Sequence, residues 1–292
     1  MKFEIYDESR LDDHLELVLD VIKEWEWDSW YPTKEQLKQV YSREGFTADT
    51  RHYLYDGNKL VGFLSTAVEE NRDGIQHGSI HRLFVRKGYE EVEDKIMKHA
   101  LDLLKSRGVE VVRTNLKPGM GNLEEIYERW GFGERTTLDY SVIFPAEKYI
   151  TKDYIKPDYI VDIDFNTQKD LLIEAIHLAD NQSKEEIAQR LDSIISNNRL
   201  FGAVVAKKEE QILAYTLLYT GNKPEKSFMF PIEVIKEPSE QLIKEIFQFS
   251  VQKAFESKKK LLYHQIKNFD LKDFYNNLNL EFVPSYSYLL RF

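Results

Sequence analysis

The feature that most constrains this chain is an internal repeat with a spacing of 148 residues, from Tyr127 to Tyr275. The segment 127–144 can be laid without a gap over the segment 275–292, and the match is one of residue character. The aligned pairs after the two tyrosines are Trp130 with Leu278, Gly131 with Asn279, Phe132 with Leu280, Tyr140 with Tyr288 and Phe144 with Phe292. Glycine and asparagine are the residue types that most readily take the left-handed conformation just past a helix end. A repeat of this length predicts two similar domains.

The two halves also show the same order of predicted elements. Hydrophobic periodicity predicts a short strand, two helices, a hairpin, a strand, a helix, a strand and a last helix in each half. The strand after the hairpin is predicted over residues 80–85 and 228–235. Thr33 with Gln36 and Ser183 with Glu186 have capping-box spacing, which predicts where the second helix of each half begins. We therefore predict an α/β (α+β) fold of two tandem domains, residues 1–148 and 149–292, each a mixed, mostly antiparallel sheet flanked by helices.

Composition excludes several classes of protein. Apolar residues make up 42% of the chain, which is too much for a disordered protein, and no run approaches the roughly 18 apolar residues that span a bilayer. The chain has no cysteine, so a thiolate nucleophile, disulfides and cysteine zinc sites are excluded. The first residues are acidic, unlike a signal peptide. We expect a cytoplasmic protein without a membrane partner.

The charge balance bears on possible partners. The chain carries 40 basic and 50 acidic residues, a formal charge of −10. Phosphate-rich polymers bind poorly to a surface of that charge, so we expect no nucleic-acid partner. The sequence leaves both a monomer and a homodimer open.

Two motifs resemble a known family. Residues 126–132, Ile-Tyr-Glu-Arg-Trp-Gly-Phe, are close to the Tyr-Glu-Lys-Leu-Gly-Phe segment of the GNAT (Gcn5-related) N-acetyltransferases. The run Leu-Phe-Val-Arg at residues 83–86, with Tyr89, has the spacing of the family's strand-end pattern Val-x-Pro-x-Tyr, with Lys87 in place of proline. The order of elements is similar in both halves, so the whole chain resembles a tandem GNAT protein.

The resemblance implies a function and a set of site residues. It implies transfer of an acetyl group from acetyl-CoA to an amine by direct attack in a ternary complex. Tyr127 occupies the position of the tyrosine that protonates the leaving thiolate, and Tyr275 occupies it in the second half. His81 is a candidate base by position on its strand. The residues at the expected cofactor-binding strand end and loop are Phe84, Val85, Arg86, Lys87, Gly88 and Tyr89.

The sequence departs from the family at the pyrophosphate loop, whose pattern is Gln/Arg-x-x-Gly-x-Gly/Ala. Residues 88–95 lack paired glycines and carry four carboxylates, Glu90, Glu91, Glu93 and Asp94. Like charges weaken the attraction between a helix N-terminus and phosphate, and these carboxylates can instead cap their own helix. The corresponding run in the second half, residues 235–241, has no glycine. Acetyl-CoA is therefore expected as co-substrate in the first half, if in either.

The acceptor side is suggested by aromatic residues between the first two helices. Trp25, Trp27, Trp30 and Tyr31 fall within seven residues, where the family shapes its substrate pocket. They can line a pocket for a small-molecule or peptide amine, or fill space between the two domains. His77 and His81 lie four apart, but Gly78 and the predicted strand character remove the helical geometry that would bring them onto one metal, and we expect no metal site.

Two further readings compete with the transferase. The glycine-poor loops of both halves favour a catalytically silent tandem GNAT-like protein that binds a ligand or partner. Tandem GNAT-like folds also occur in aminoacyl-tRNA-dependent transferases, but the charge of −10 opposes tRNA binding.

Overall fold

Each half of the chain contributes the same order of strands and helices within the residues that the computed structural model describes, which are all except 27–31, 43–46, 73, 118, 152–153, 197, 222, 237–238 and 267–271. The first half contains β1 (Lys2–Glu4), α1 (Leu11–Ile22), α2 (Lys34–Tyr41), β2 (Arg51–Asp56), β3 (Lys59–Arg72), β4 (Ile75–Ile80), β5 (Phe84–Val85), α3 (Glu93–Ser106), β6 (Val111–Leu116), α4 (Leu123–Arg129) and β7 (Glu134–Pro145). The second half contains β8 (Ile160–Asp162), α5 (Lys169–Asp180), α6 (Lys184–Ser196), β9 (Leu200–Lys208), β10 (Gln211–Thr220), β11 (Lys226–Met229), β12 (Glu233–Val234), α7 (Glu240–Glu256), β13 (Leu261–Ile266), α8 (Lys272–Asn277) and β14 (Phe282–Arg291). The predicted order of elements is confirmed. None of these described helices has the length and apolar character needed to cross a membrane.

Local sequence signals set the helix ends. The Thr33 hydroxyl accepts the Gln36 amide at 3.2 Å, and the Gln36 side chain accepts the Thr33 amide at 2.9 Å, which is the predicted capping box at the start of α2. The aligned residues Gly131 and Asn279 follow α4 and α8 with φ of +88° and +53°. The left-handed turn expected from this pair is therefore present in both halves.

The sheets are mixed and mostly antiparallel, as predicted. In the unit formed by residues 1–138 and 284–292, the strand order is β1-β2-β3-β4-β6-β14, and β5 pairs with β3. In the unit formed by residues 139–283, the order is β7-β13-β11-β10-β9-β8, and β12 pairs with β10. The neighbouring strands that run parallel are β4 with β6 in the first unit and β11 with β13 in the second.

The last strand of each half differs from the predicted domain division. β14 pairs with β6 of the first unit, placing Tyr288 opposite Thr114, while residues 140–145 of β7 pair with β13 of the second unit. Residues 139–148 and 284–292 therefore lie in the opposite units from those that the ranges 1–148 and 149–292 assign. The two halves have equivalent edge strands, and nothing in the local sequence of β7 or β14 specifies which copy of that edge it joins.

The strands predicted over residues 80–85 and 228–235 are each divided in the structure, so these two predictions are wrong in detail. β4 begins earlier, at Ile75, and ends at Ile80, and β5 resumes at Phe84. The predicted strand of the second half is divided in the same way, into β11 and β12. At both breaks a side chain bonds the backbone: the Tyr127 hydroxyl donates to the His81 carbonyl at 2.8 Å and the Thr216 hydroxyl to the Phe230 carbonyl at 2.8 Å. A prediction from apolar residues alone does not detect such breaks, because the apolar residues continue across them.

The core of the first unit lies between its sheet and helices α1 and α3. Tyr53, Tyr127 and Phe132 are fully buried within it. Gly62 of β3 lies under Ile96 of α3, and a Cβ at residue 62 would overlap the Ile96 Cδ1 atom. Each large apolar side chain buried in this way contributes about 1.5–3 kcal/mol to the free energy of unfolding. This packing holds α1 and α3 against the sheet.

Candidate functional site

The parallel strands of the first unit part beside a cavity. β4 and β6 pair over three residues, of which the last is Ser79 opposite Arg113. Beyond that point Phe84 and Val85 of β5 pair with β3, whereas β6 continues to Leu116, paired with β14 over its whole length. This parting, between residues 81–85 and 114–116, is the fork of the first unit. Strands that part present the backbone N–H and C=O groups of their facing edges to whatever enters between them.

A cavity of about 440 Å³ lies beside the fork. Its apolar walls come from the fork, from α4 and from the residues around the end of α1, namely Leu83, Val85, Leu123, Ile126, Val21 and Trp25. The His81 and Arg86 amides donate to β3. Because N–H groups alternate along a strand, the Val85 amide faces the opposite side, toward the fork. The volume falls in the range of about 300–1,000 Å³ typical of small-molecule sites.

Trp25 fixes one wall of the cavity. It is 5% exposed and its indole stacks on Phe84 with a centroid distance of 5.4 Å. The next residue, Glu26, donates its amide to the Gly119 carbonyl at 2.8 Å. These contacts connect the end of α1 to β5 and to the loop before α4, so three sides of the cavity are held together.

Tyr127 and His81 meet at the base of the fork. Tyr127 is fully buried, and its hydroxyl donates to the His81 carbonyl at 2.8 Å. Burial raises the pKa of Tyr127 well above its ordinary value, so the phenol is protonated at neutral pH. Desolvation by the surrounding protein and the charge of Arg51 lower the pKa of the His81 imidazole, which leaves it neutral at pH 7. Neither side chain lines the cavity.

The loop between β5 and α3 carries the other predicted cofactor residues. Phe84 is buried against Trp25, while Val85 and Lys87 line the cavity. Arg86 does not line the cavity; its guanidinium contacts carboxylates of α1, Asp20 and Glu16, at 3.0 Å each. The Tyr89 ring lies 5.3 Å from the Lys59 ammonium. Gly88 has φ of +85°, a conformation that favours glycine, and its amide donates to the Glu90 carboxylate at 2.9 Å.

Most of the charged side chains that line the cavity are acidic. The lining includes two lysines, Lys23 and Lys87, and four carboxylates, Asp20, Glu24, Glu90 and Glu93. Glu93 is 7% exposed, and its carboxylate lies 3.4 Å from the Asn122 amide nitrogen and 3.4 Å from the Arg129 guanidinium. Two of these carboxylates, Asp20 and Glu93, also have an arginine partner, Arg86 and Arg129, so the lining is not strongly acidic overall, and Glu90 is the carboxylate that lies on the loop after β5.

The predicted acceptor residues Trp27, Trp30 and Tyr31 lie outside the residues that the structure describes. Their neighbour Trp25 lies inside them and lines the cavity. Asp20 and Glu24 were not predicted as site residues. They lie four apart at the end of α1, and only the fold brings that end against the loop after β5.

A family comparison agrees with this geometry. Residues 19–132 match the model of the Acetyltransferase (GNAT) family, a range that holds β4, β5, β6, the cavity walls and Tyr127. This part of the chain is therefore similar to a GNAT domain. No curated protein matches the sequence.

The whole chain has the fold of a tandem GNAT protein. It aligns over 99% of its length with 98% of a tandem GNAT protein from the clavulanic acid biosynthesis pathway, solved without AcCoA, at a TM-score of 0.63 and 13% identity. It aligns over 100% with 100% of an acetyltransferase from the GNAT family from Colwellia psychrerythraea, at a TM-score of 0.62 and 10% identity. Saccharomyces cerevisiae N-myristoyltransferase with bound myristoyl-CoA aligns over 98% of this chain and 78% of its own, at a TM-score of 0.55 and 12% identity. At these identities the likeness is one of fold.

The second GNAT-like unit has a fork of its own, occupied by a buried histidine. β11 and β13 pair as far as Met229 opposite His264, whereas β13 continues to Ile266 and is paired with β7 over its whole length. The His264 Nδ1 atom lies 3.1 Å from the Met229 carbonyl and Nε2 lies 2.8 Å from the Tyr275 hydroxyl. Because a carbonyl only accepts, Nδ1 carries the proton and Tyr275 donates to Nε2.

Comparison of the two forks separates the two tyrosines. Tyr127 donates to a backbone carbonyl beside a cavity, whereas Tyr275 donates to the imidazole of His264, which is 1% exposed. The sequence repeat predicted the equivalence of these tyrosines. It did not indicate His264. That histidine is the fourth residue of β13, and the fourth residue of β6 is Thr114.

Proposed function

We propose that the GNAT-like domain of the first unit is an acetyl-CoA-dependent N-acetyltransferase, which transfers an acetyl group to an amine by direct attack in a ternary complex. The observation that carries this proposal is the fork with its adjoining cavity, inside the range that matches the family. Backbone groups of the fork, including the Val85 amide, are suited to pair with the amide-bearing pantetheine arm. The apolar wall formed by Leu123 and Ile126 suits its methylene groups.

The residues at the base of the fork supply the proton transfers in this proposal. The amine nitrogen attacks the thioester carbon and the carbon–sulfur bond breaks. Tyr127, freed from the His81 carbonyl, donates its proton to the leaving thiolate. The neutral imidazole of His81 accepts the proton of the amine through water. The acceptor is a small-molecule or peptide amine.

A second candidate is a catalytically silent protein that binds a ligand in the same cavity. Two contacts favour it: Glu90 accepts the Gly88 amide, and Arg86 is paired with carboxylates of α1. Both groups would otherwise be available to phosphate oxygens.

Acetyl-CoA binding followed by turnover tests the proposal. A ligand at 100 times its dissociation constant stabilises a protein by about 2.7 kcal/mol, so acetyl-CoA and CoA should raise the unfolding midpoint of the first unit while ATP should not. The fluorescence of the four tryptophans, at positions 25, 27, 30 and 130, reports this unit alone.

Tyr127→Phe then tests the acid in an amine-acceptor screen. Removing the hydroxyl should lower kcat at least tenfold with little change in acetyl-CoA affinity, since it acts only as the thiolate leaves. Tyr275→Phe is the matched control and should leave kcat unchanged. Binding of acetyl-CoA without acetylation of any amine in the screen would favour the catalytically silent protein. Full activity of Tyr127→Phe would show that Tyr127 is not the acid.

A further inference from the structure

The loop between β5 and α3 holds a carboxylate of its own on its glycine amide. The Gly88 amide donates to Glu90 Oε1 at 2.9 Å, and both Glu90 and the adjacent Lys87 line the cavity. Backbone N–H groups in a turn and lysine side chains are both groups that bind phosphate oxygens. In this loop a carboxylate oxygen already accepts the Gly88 amide.

Glu90 differs from Glu93 and Arg86 in its exposure and in the range of its contacts. Glu93 is buried and lies near Asn122 and Arg129, and Arg86 is paired with two carboxylates of α1. Glu90 is exposed, and its carboxylate accepts the Gly88 amide two residues away. An exposed side chain held by such a short-range contact can leave the amide without unpacking the core.

We propose that Glu90 is a specificity-determining residue for the acyl donor, acting against donors that place a phosphate at the Gly88 amide. This inference rests on the proposed function. CoA carries a diphosphate at the end of its pantetheine arm, so it must displace the Glu90 carboxylate and remain next to its charge. Pantetheine occupies the same fork and apolar walls without a phosphate, and Glu90 does not oppose it. The native site therefore discriminates against diphosphate-bearing donors.

The test measures the affinities of CoA and pantetheine for four full-length proteins by isothermal titration. These are the wild type, Glu90→Ala, Glu90→Gln and Glu91→Ala. Glu90→Ala frees the amide and removes the charge, so CoA should bind about tenfold more tightly, which is about 1.4 kcal/mol, with pantetheine affinity unchanged. Glu90→Gln keeps an acceptor for the Gly88 amide and removes only the charge, so its gain should be smaller.

Glu91→Ala is the matched control, because Glu91 is an exposed neighbour of equal charge that does not line the cavity. It should leave the ratio of CoA to pantetheine affinity at the wild-type value. An equal gain in Glu91→Ala would assign the effect to overall charge and overturn the role of Glu90. Wild-type protein that binds both ligands, with a ratio unchanged in Glu90→Ala, would reject the inference and leave the proposed function standing. Failure of all four proteins to bind either ligand would instead reject the proposed function.

Discussion

At the scale of single residues, His264 makes the second unit sensitive to acid. Burial lowers its pKa from 6.5 to about 4, so the unfolded chain binds a proton between these two values that the folded unit does not. Stability is therefore fully present above pH 6.5, falls as pH decreases, and has lost the contribution of this residue near pH 4. A difference of this size is worth about 3 kcal/mol.

His264→Gln should reduce this acid sensitivity. The measurement is urea unfolding by far-UV circular dichroism at pH 7 and pH 5, compared between wild type and variant. Glutamine does not titrate, so the stability lost between the two pH values should be smaller in the variant. Tryptophan fluorescence, which reports the first unit, serves as the internal control and should show no difference between the proteins. An equal pH dependence by circular dichroism in both proteins would contradict the assignment.

The sequence reveals residue roles where the signal is local, and misses them where the partner is distant. The capping pair Thr33 and Gln36 was predicted because its two members are three residues apart. Tyr127 was found through a motif, but its bond to the His81 carbonyl was not, since 46 residues separate the two. The Glu90 contact is local, yet the sequence indicated only that acidic residues fill this loop. Which of them turns back onto Gly88 depends on the left-handed backbone there.

At the scale of elements, the packing of α3 on β3 depends on the absence of a side chain at Gly62. A Cβ there would overlap the Ile96 Cδ1 atom, and both residues lie in the buried interface between helix and sheet. Overpacking of this kind costs about 1–3 kcal/mol, so Gly62→Ala should lower the free energy of unfolding of the first unit by about that amount. Urea unfolding monitored by tryptophan fluorescence measures the loss.

A double-mutant cycle identifies the clash as the cause. Ile96→Val removes the overlapping methyl group, so it should cost about 1 kcal/mol alone and recover part of the stability of Gly62→Ala when the two are combined. Gly133→Ala is the control, because the nearest atom to its added Cβ is 3.9 Å away. Additive effects of the two substitutions would show that the loss in Gly62→Ala arises elsewhere, for example from strand distortion.

Element existence was easier to predict from the sequence than element continuity. The two capping pairs located the starts of α2 and α6, which begin directly after Thr33 and Ser183. The strands that form the two forks were predicted as unbroken, because apolar residues continue through the break. At each break a hydroxyl from another element bonds the carbonyl of the residue just after the strand, from Tyr127 to His81 in one unit and from Thr216 to Phe230 in the other. The pattern of hydrophobic residues does not indicate such a hydrogen bond, so the break cannot be predicted from it.

At the scale of the whole molecule, the chain returns to its first unit at the end. Residues 284–292 complete the sheet of residues 1–138, and Tyr288 is buried in that core. The repeat detected two similar halves, but it aligned β7 with β14 and thereby assigned each to its own half. Both strands follow equivalent helices and pair with equivalent strands of the two sheets. Composition and periodicity therefore do not show that β7 and β14 are exchanged between the units.

Removal of residues 284–292 should therefore destabilise the first unit, although these residues are farthest from it in sequence. The deletion exposes the edge of β6 and removes Tyr288, which is 1% exposed, so we expect a loss of at least about 3 kcal/mol in tryptophan-monitored unfolding. Tyr288→Ala keeps the strand backbone and should lose less. The deletion also takes the partner of residues 114–116, which form one side of the fork, so acetyl-CoA binding should fall with stability. An unchanged fluorescence midpoint in the shortened chain would show that β6 does not depend on this strand.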